Sequence, residues 1–576
     1  MSSSEHVMSH EVTRRYKWNT IPWKSVEKKV FKLQKRIYRA TRNGDTTKAQ
    51  RLQRLLQSSK SAKLLAVRRV TQDNSGKKTA GIDGVKSLKP EERVDLVENI
   101  NWKKAPKPVR RIYIPKAGKK EVRPLGIPVM EDRAKQALAK LAMEPEWEAR
   151  FEPNSYGFRI GRAAHDAIEA IFIAIARKKG GSFVLDADIK GCFDNIDHES
   201  LLRKVNTYPR MRRIIKGWLK AGILDKGVFQ KSEAGTPQGG VISPLLANIA
   251  LDGMEKYVID SLEDDLFQAQ KARTRREGLK KSSNNRGAAR STMTIVRYAD
   301  DFVVLHRDRD IVEKAQSVIE EFLRGMGLEL KPSKTRIAHT RENLDGKIGF
   351  DFLGWTVRQF EDNKTAMGQK TIIKPSKDSV KRHLRAIKDE IDREKGANQL
   401  ALITKLNPII RGWSRYHATV VSGRTFGYLR MKVFEKLWRW ACFNHSNKGK
   451  EWIRSRYWRR HGMNNWRFMT EAGKFLMCHS DHLIRRHTMI NPSKSQYDGD
   501  WAYWTKRMGK VPIVSPRVSK LMKSQKGRCG ECGLFLTSND LVEVHHIDGN
   551  HKNNAYKNLT LIYRHCHDQV HGKKAA

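Results

Sequence analysis

The sequence predicts a multidomain α+β protein, on three observations. Its 576 residues exceed what one hydrophobic core organises. Near the middle, two short apolar runs, residues 293–297 and 302–305, flank a tight turn in the manner of a β-hairpin. In residues 24–70, and again beyond about residue 361, apolar residues recur at the spacing of amphipathic helices.

Composition sets the class of partner. A formal net charge of +51 repels itself unless a polyanion neutralises it; nucleic acid is the usual one, with a membrane surface as the rival. No apolar run approaches the roughly 18 residues of a transmembrane helix, and the opening MSSSEHVMSHEVTRR has no signal-peptide core. A soluble, intracellular protein without a membrane partner is expected. Glu5 and Glu11 are unlike an acid-poor transit peptide, which favours a bacterial cytoplasm or nucleoid over an organelle. Six cysteines, three of them after residue 528, fit a reducing compartment with one metal site better than a disulfide framework.

Taken in order, residues 24–70 read as two basic helices, one carrying Val26, Val30, Leu33 and Ile37 and the other Leu52, Leu55 and Leu56, separated by Asn43-Gly44-Asp45. Arg111, Lys116 and Arg123 then flank the alternation of Ile112, Ile114 and Val122 in a ribbon suited to clamping triphosphate oxygens. In residues 183–189 the apolar positions 183, 185, 187 and 189 alternate with Asp186 and Asp188 on the other face, and spacing does not choose between the two carboxylates. Gly235-Thr236-Pro237-Gln238-Gly239-Gly240 supplies a backbone that approaches a nucleotide closely, followed by an apolar, helix-like run over 242–251. Residues 273–290 (RTRREGLKKSSNNRGAAR) are polar and strongly cationic, and read as a flexible insertion that orders on RNA.

The turn Tyr298-Ala299-Asp300-Asp301 offers adjacent carboxylates, and a third from the 183–189 strand converges with them. Phosphoryl transfer needs such a site: two Mg²⁺ a few ångströms apart stabilise the attacking and leaving oxygens, and hard oxygen ligands suit that ion. A nucleic-acid polymerase is expected. Beyond residue 361, basic residues interleave with Trp413, Tyr416, Phe434, Trp438, Trp440 and Trp452; most of these read as core, with Arg411, Arg415 and Lys432 for phosphate. Finally, Cys529-x-x-Cys532 followed by Cys566 has zinc-ligand spacing, and His545-His546, Asn558 and His567 lie around it. His567 and His571, four apart on a predicted helix, can face one ion.

The order of these blocks resembles reverse transcriptases encoded by mobile group II introns, of the type that also act as splicing maturases. The likeness runs through residues 110–128 (RRIYIPKAGKKEVRPLGIP), 155–162 (SYGFRIGR), 188–194 (DIKGCFD), 235–246 (GTPQGGVISPLL), YADD, 330–337 (LKPSKTRI) and 349–357 (GFDFLGWTV), with a further echo in 406–417 (LNPIIRGWSRYH). It implies a right-hand polymerase: an N-terminal helical RNA-binding extension over 1–75, fingers and palm with an antiparallel sheet over 76–360, a helical thumb or maturase X domain over 361–455, and a DNA-binding region over 456–512. It selects Asp188 with Asp300 and Asp301 as the catalytic, Mg²⁺-holding carboxylates. Phe193 falls where the family excludes a 2′-hydroxyl, which implies deoxynucleotide substrates; Lys116, Arg123, Gln238, Gly239 and Lys334 fall at substrate-binding positions.

Residues 513–576 resemble an HNH endonuclease, a small ββα-metal domain with a zinc ribbon. By that motif His546 is the general base, His545 and His567, with His571, hold a divalent metal, Asn558 fixes the loop, and Cys529, Cys532 and Cys566 bind structural Zn²⁺. The family's fourth zinc ligand falls at Tyr563, a poor ligand, leaving His565 or water to complete the site. Together the likenesses imply a ribonucleoprotein enzyme of intron retrohoming. Its partners are its group II intron RNA, double-stranded target DNA, an RNA template with a DNA primer, and dNTPs. The alternatives are a splicing-only maturase and a host-adapted or defence-associated reverse transcriptase.

Overall fold

The computed structural model describes residues 17–115, 121–176, 182–278, 285–366, 368–509, 514–536 and 541–574. Lys116 and residues 279–284 of the expected insertion lie outside them.

At the centre is a four-stranded antiparallel sheet in the order Thr294–Tyr298, Asp301–His306, Phe183–Asp188, Arg336–His339. Its period-2 pattern serves two cores at once. Leu185, Ala187, Ile295, Phe302 and Val304 face a core shared with the helix Arg309–Arg324. Val184, Val296, Val303 and Leu305 face a second core, shared with the helix Ala164–Ala176 and the meander Phe350–Phe352, Trp355–Glu361, Gln369–Pro375. Asp186, Asp188 and Asp301 belong to this second face by parity.

A second sheet, Val122–Ile127, Val109–Pro115, Ile223–Asp225 and Val228–Gln230, carries the basic ribbon, in which Ile114 pairs with Arg123. The glycine-rich loop is sewn onto it where Gly126 N donates to Gln238 O at 2.6 Å. Gly239, at φ +114°, lies so close that a Cβ there would come within 2.9 Å of Gly126 O. Residues 242–251 form the expected helix, Ser243–Leu251, buried throughout except at Pro244.

Three expectations are corrected. The N-terminal stretch makes three helices, Trp23–Arg42, Thr46–Ser58 and Lys60–Arg68, because Ser59 is extended and turns the chain between the second and third. The cationic insertion is helical where described: Glu263–Glu277 runs into it, closed by the Arg273–Glu277 pair at 3.0 Å and by Gly278 at φ +61°. Arg286–Arg290 resumes the helix, capped by Asn285 and tied through Arg286 to Asp264 (2.9 Å) and Arg290 to Asp260. Helical structure begins at Lys377 rather than near 361, since the meander continues to Pro375.

Helices Lys377–Arg393, Gln399–His417, Gly423–Asn444 and Lys450–Tyr457 then build a third core, which the hairpin Trp458–His461/Asn464–Phe468 shares through Trp458 and Phe468. Trp440 is buried in it, Phe434 and Trp438 pack at its edge, and Trp452 is exposed. Lys432 pairs with Glu435 at 3.0 Å. From about residue 487 the chain returns to the second core, which takes in Ile490 and Trp504. The fastening is Asp166, a wholly buried carboxylate that accepts from His487 Nε2 (2.9 Å), Ile490 N (2.8 Å), Arg507 Nη2 (2.6 Å) and Ala163 N (2.9 Å). Burial is the largest single influence and raises its pKa, but these donors together outweigh it and hold the pKa below the ordinary value. Asp166→Ala strands Arg507 and His487 without their partner, so a loss of about 3–5 kcal/mol is expected, read as a lowered urea midpoint; an unchanged midpoint would show that the clasp is not needed.

Candidate active sites

The first candidate site lies at one end of the central sheet. Asp188 closes its strand directly across from Asp301, and Asp301 in turn pairs with Tyr298, which leaves Ala299 and Asp300 as a two-residue hairpin loop. Such a loop requires left-handed backbone, and Ala299 supplies it at φ +59°. Asp186, two residues earlier, instead faces Arg336, its cross-strand partner, and pairs with it at 3.2 Å. Register thus separates two carboxylates that spacing leaves equivalent.

The three acids are poorly neutralised. Lys334 Nζ pairs with Asp188 Oδ2, and the exposed Arg123 makes itself felt at Asp300. Burial first, then the charge of Asp188, raises the Asp300 carboxyl; burial, Asp300 and Asp188 push Asp301 up to about 7. An oxygen-only donor set that resists ionising in its own company suits a hard dication. The three do not form a cluster with all ligand atoms within 4.8 Å of one another, as the two C-terminal groups do.

Around this end the glycine-rich loop packs on the turn after Asp188. Thr236 N donates to Phe193 O at 2.5 Å, Gly235 N to Ile196 O at 2.8 Å, and Gln238 Nε2 to Asp194 Oδ2 at 3.2 Å. Phe193 is half-buried, its ring edge-on to the exposed Phe158 at 6.0 Å. Sequence reasoning passed over what supports the turn from below. A Cβ on Gly157 would come within 2.4 Å of Ala299 N, so only glycine lets the two backbones meet. Gly157 O accepts from Asn248 Nδ2 at 2.8 Å, and Asn248 Oδ1 from the buried Arg297 at 3.2 Å. One signal was available: Asn248 is the polar residue inside the otherwise apolar run 245–251.

The second candidate site is in the C-terminal unit, where the hairpin Val542–His546/Leu559–Tyr563 is followed by the helix Arg564–Lys574. The ligand atoms of His545, His567 and His571 lie within 4.8 Å of one another. Glu543, which has no role in the motif, orients this group: its Oε2 lies 3.3 Å from His567 Nδ1, while Oε1 holds Arg564 at 2.7 Å. His546 Nε2 is buried without a hydrogen-bond partner among the described residues, and its ring meets His551 at 5.0 Å. Asn558 clamps the intervening loop. Its Nδ2 donates to Asp548 Oδ1 (2.8 Å) and Asn553 O (2.9 Å), and its Oδ1 accepts from Asp548 N (3.0 Å). Three histidines with a carboxylate behind one of them fit a divalent cation with positions left for substrate.

Cys529, Cys532 and Cys566 gather within the same 4.8 Å limit, a soft donor set that suits zinc. Neither candidate for a fourth ligand joins them. The Tyr563 hydroxyl donates to Phe535 O at 2.5 Å. His565 turns outward, stacked on Tyr563 and edge-on to Trp23, and burial with Arg68 nearby lowers its pKa to about 3.

Family models match the chain in four consecutive segments: the N-terminal domain of reverse transcriptase over residues 18–100, reverse transcriptase (RNA-dependent DNA polymerase) over 114–357, the group II intron maturase-specific domain over 380–458, and HNH endonuclease over 529–573. Protein YkfC of Escherichia coli (strain K12) is 33% identical over 329 residues, 53% of this chain and 82% of that protein. The group II intron-encoded protein LtrA of Lactococcus lactis subsp. cremoris is 25% identical over 559 residues, 84% of this chain and 87% of its own. Maturase-like protein 1 of Euglena gracilis is 26% identical over 402 residues, 69% and 76% respectively.

The raised Asp301 carboxyl carries a sign. A folded-state pKa above the unfolded one means that the folded form binds the proton more tightly, so this contribution is present below about pH 4 and lost as pH rises through about 7. Asp301→Asn is expected to raise the melting temperature in EDTA at pH 8 by about 2–4 °C, the difference narrowing as pH falls from 7 toward 4. Equal melting curves at pH 8 would refute the electrostatic account.

Proposed function

Since the chain belongs to the family of group II intron-encoded proteins with reverse transcriptase, maturase and HNH endonuclease domains, we propose that its two candidate centres act in turn on one target. The protein is an RNA-directed DNA polymerase, a maturase of intron RNA splicing and a DNA endonuclease, the multifunctional protein of intron retrohoming. The residue assignments that follow are our reading. What carries it is the cross-strand pairing of Asp188 with Asp301 beneath the turn that presents Asp300.

In this reading the central and ribbon sheets are the palm and fingers of a right-hand polymerase, the helices from Lys377 its thumb, and the C-terminal strand-strand-helix unit a ββα-metal nuclease. Asp188, Asp300 and Asp301 would hold two Mg²⁺, which would supply Lewis acidity for the attacking 3′-oxygen and the leaving pyrophosphate. Arg123, with Lys116, grips the triphosphate; Gln238 and Gly239 line the nucleotide; Phe193 obstructs a 2′-hydroxyl. Lys334 neutralises Asp188 until substrate arrives.

In the C-terminal unit His546, its Nε2 without a hydrogen-bond partner among the described residues, accepts the proton of the attacking water. Asn558 fixes the loop that aims it, and His545, His567 and His571 would hold a divalent ion, which would supply positive charge for the scissile phosphate. Three thiolates, Cys529, Cys532 and Cys566, hold structural zinc with a non-protein fourth ligand. Intron RNA, the RNA template with its DNA primer, dNTPs and duplex target DNA are the partners, bound largely through phosphate, and relatives in Escherichia coli and Lactococcus support a bacterial cytoplasm or nucleoid. Among the described residues no helix is long and apolar enough to cross a membrane.

The test is primer extension on an RNA template with dNTPs and Mg²⁺, alongside nicking of a duplex carrying the joined flanking exons. Asp300→Ala is expected to abolish extension with RNA binding and nicking retained, and His546→Ala to do the reverse; extension that survives Asp300→Ala would sink the polymerase assignment. Gly157→Ala pushes the Ala299 turn away, and a loss on the order of 10²-fold in extension is expected from a displacement near 1 Å, with RNA affinity unchanged. Parental extension by that variant would mean that the close approach is not what places Asp300.

A further inference from the structure

The helix Arg564–Lys574 serves both C-terminal centres yet is held from outside its own unit. Around its axis Cys566 looks to the thiol group, and His567 and His571, one turn apart, look to His545. His565, Asp568 and Gln569 occupy the remaining face, and that face meets the N-terminal helical layer. Gln72 Nε2 donates to Asp568 Oδ2 at 2.7 Å, while Gln72 Oε1 accepts from the buried Trp18 Nε1 at 3.1 Å. Gln569 Nε2 donates to the carbonyls of Asn19 (3.2 Å) and Ile21 (3.1 Å). The His565 ring stands edge-on to Trp23 at 6.3 Å, with Nε2 3.7 Å from Glu27 Oε1. Glu27 is fixed by Arg68 at 2.7 Å, and the guanidinium of Arg68 lies over Trp23 at 4.6 Å.

An 11-residue helix is marginal on its own, and its ends fray. His571 sits in the last turn, one turn beyond Cys566 and the thiol anchor. The contacts that hold the turns leading into it, at His565, Asp568 and Gln569, come from residues more than 490 positions earlier in the chain. We infer that the N-terminal helical layer positions the endonuclease helix, with Gln72 and Glu27 as positioning residues that set the geometry of His567 and His571. The histidine centre is then competent only while the layer is docked on it, and the unit matched to the N-terminal domain of reverse transcriptase takes part in DNA cutting. The inference rests on the reading of the histidine centre as the nuclease site.

The contact can be reversed in polarity by near-isosteric changes. Gln72→Glu keeps the acceptor for Trp18 Nε1 but sets a second carboxylate against Asp568; adding Asp568→Asn returns a hydrogen bond, now donated by the helix. In the full-length protein with its intron RNA, Gln72→Glu is expected to lower nicking of the joined-exon duplex by about 10–100-fold with primer extension unchanged, and to speed hydrogen exchange across residues 564–574. The double variant is expected to restore both. Gln72→Glu that nicks and exchanges like the parent, or a double variant as impaired as Gln72→Glu, overturns the docking role. Exchange that follows the swap in a protein whose parent never nicks upholds the docking and overturns the nuclease reading instead.

Discussion

The juxtaposition of Asp188 and Asp301 across two neighbouring strands is an electrostatic conflict that the surrounding structure maintains. Like charges face to face in a sheet are destabilising, and after burial the charges of Asp300 and Asp188 raise the Asp301 carboxyl further. The conflict is held by backbone. Hydrogen-bonded register fixes both strands, cores on either face of the sheet prevent slippage, and Gly157 meets the turn at a distance no other residue allows. Lys334 relieves the charge at one point without removing it. A sheet buried on both faces is the right scaffold, because a slip by one residue would send Val184 and Val303 into the opposite core.

The C-terminal unit solves a similar problem with less material. It has a small core, a strand pair, the helix Pro516–Ser524 and, last, the helix Arg564–Lys574. Each face of that helix has a different duty, so the spacing of residues 565–569 leaves little freedom. Glu543 joins Arg564 to His567 across the strand-helix junction, which couples the start of the helix to an imidazole near its middle.

Much of this was legible in the sequence, and the remainder has physical reasons. The turn at Asp300 was legible because turn chemistry is local, and the cysteine and histidine groups because ligand spacing on a knuckle and a helix is local too. The choice between Asp186 and Asp188 was not, since it depends on Arg336 and Asp301, more than 100 residues away. Gly157 looked like any glycine, because its neighbour Ala299 is equally distant. The run 273–290 misled by composition at its described ends: Arg273 finds Glu277, and Arg286 and Arg290 find Asp264 and Asp260 on the preceding helical segments, pairings that net charge conceals. Lys432 was offered to phosphate although Glu435 stands three residues on, a pairing that i,i+3 spacing could have shown.

The Asp166 clasp has a topological consequence. It returns residues 487–507 to the helix Ala164–Ala176, so the helical unit beginning at Lys377 leaves the central body at one point and rejoins it at another. That unit is therefore an excursion anchored at both ends rather than an appendage on a single tether. Between those ends it is also seated on the second core, where Tyr416 stacks on Trp355 at 4.3 Å and donates to Leu353 O at 2.9 Å. A duplex held between the helices and the sheet would therefore meet a wall braced at both ends and along its side.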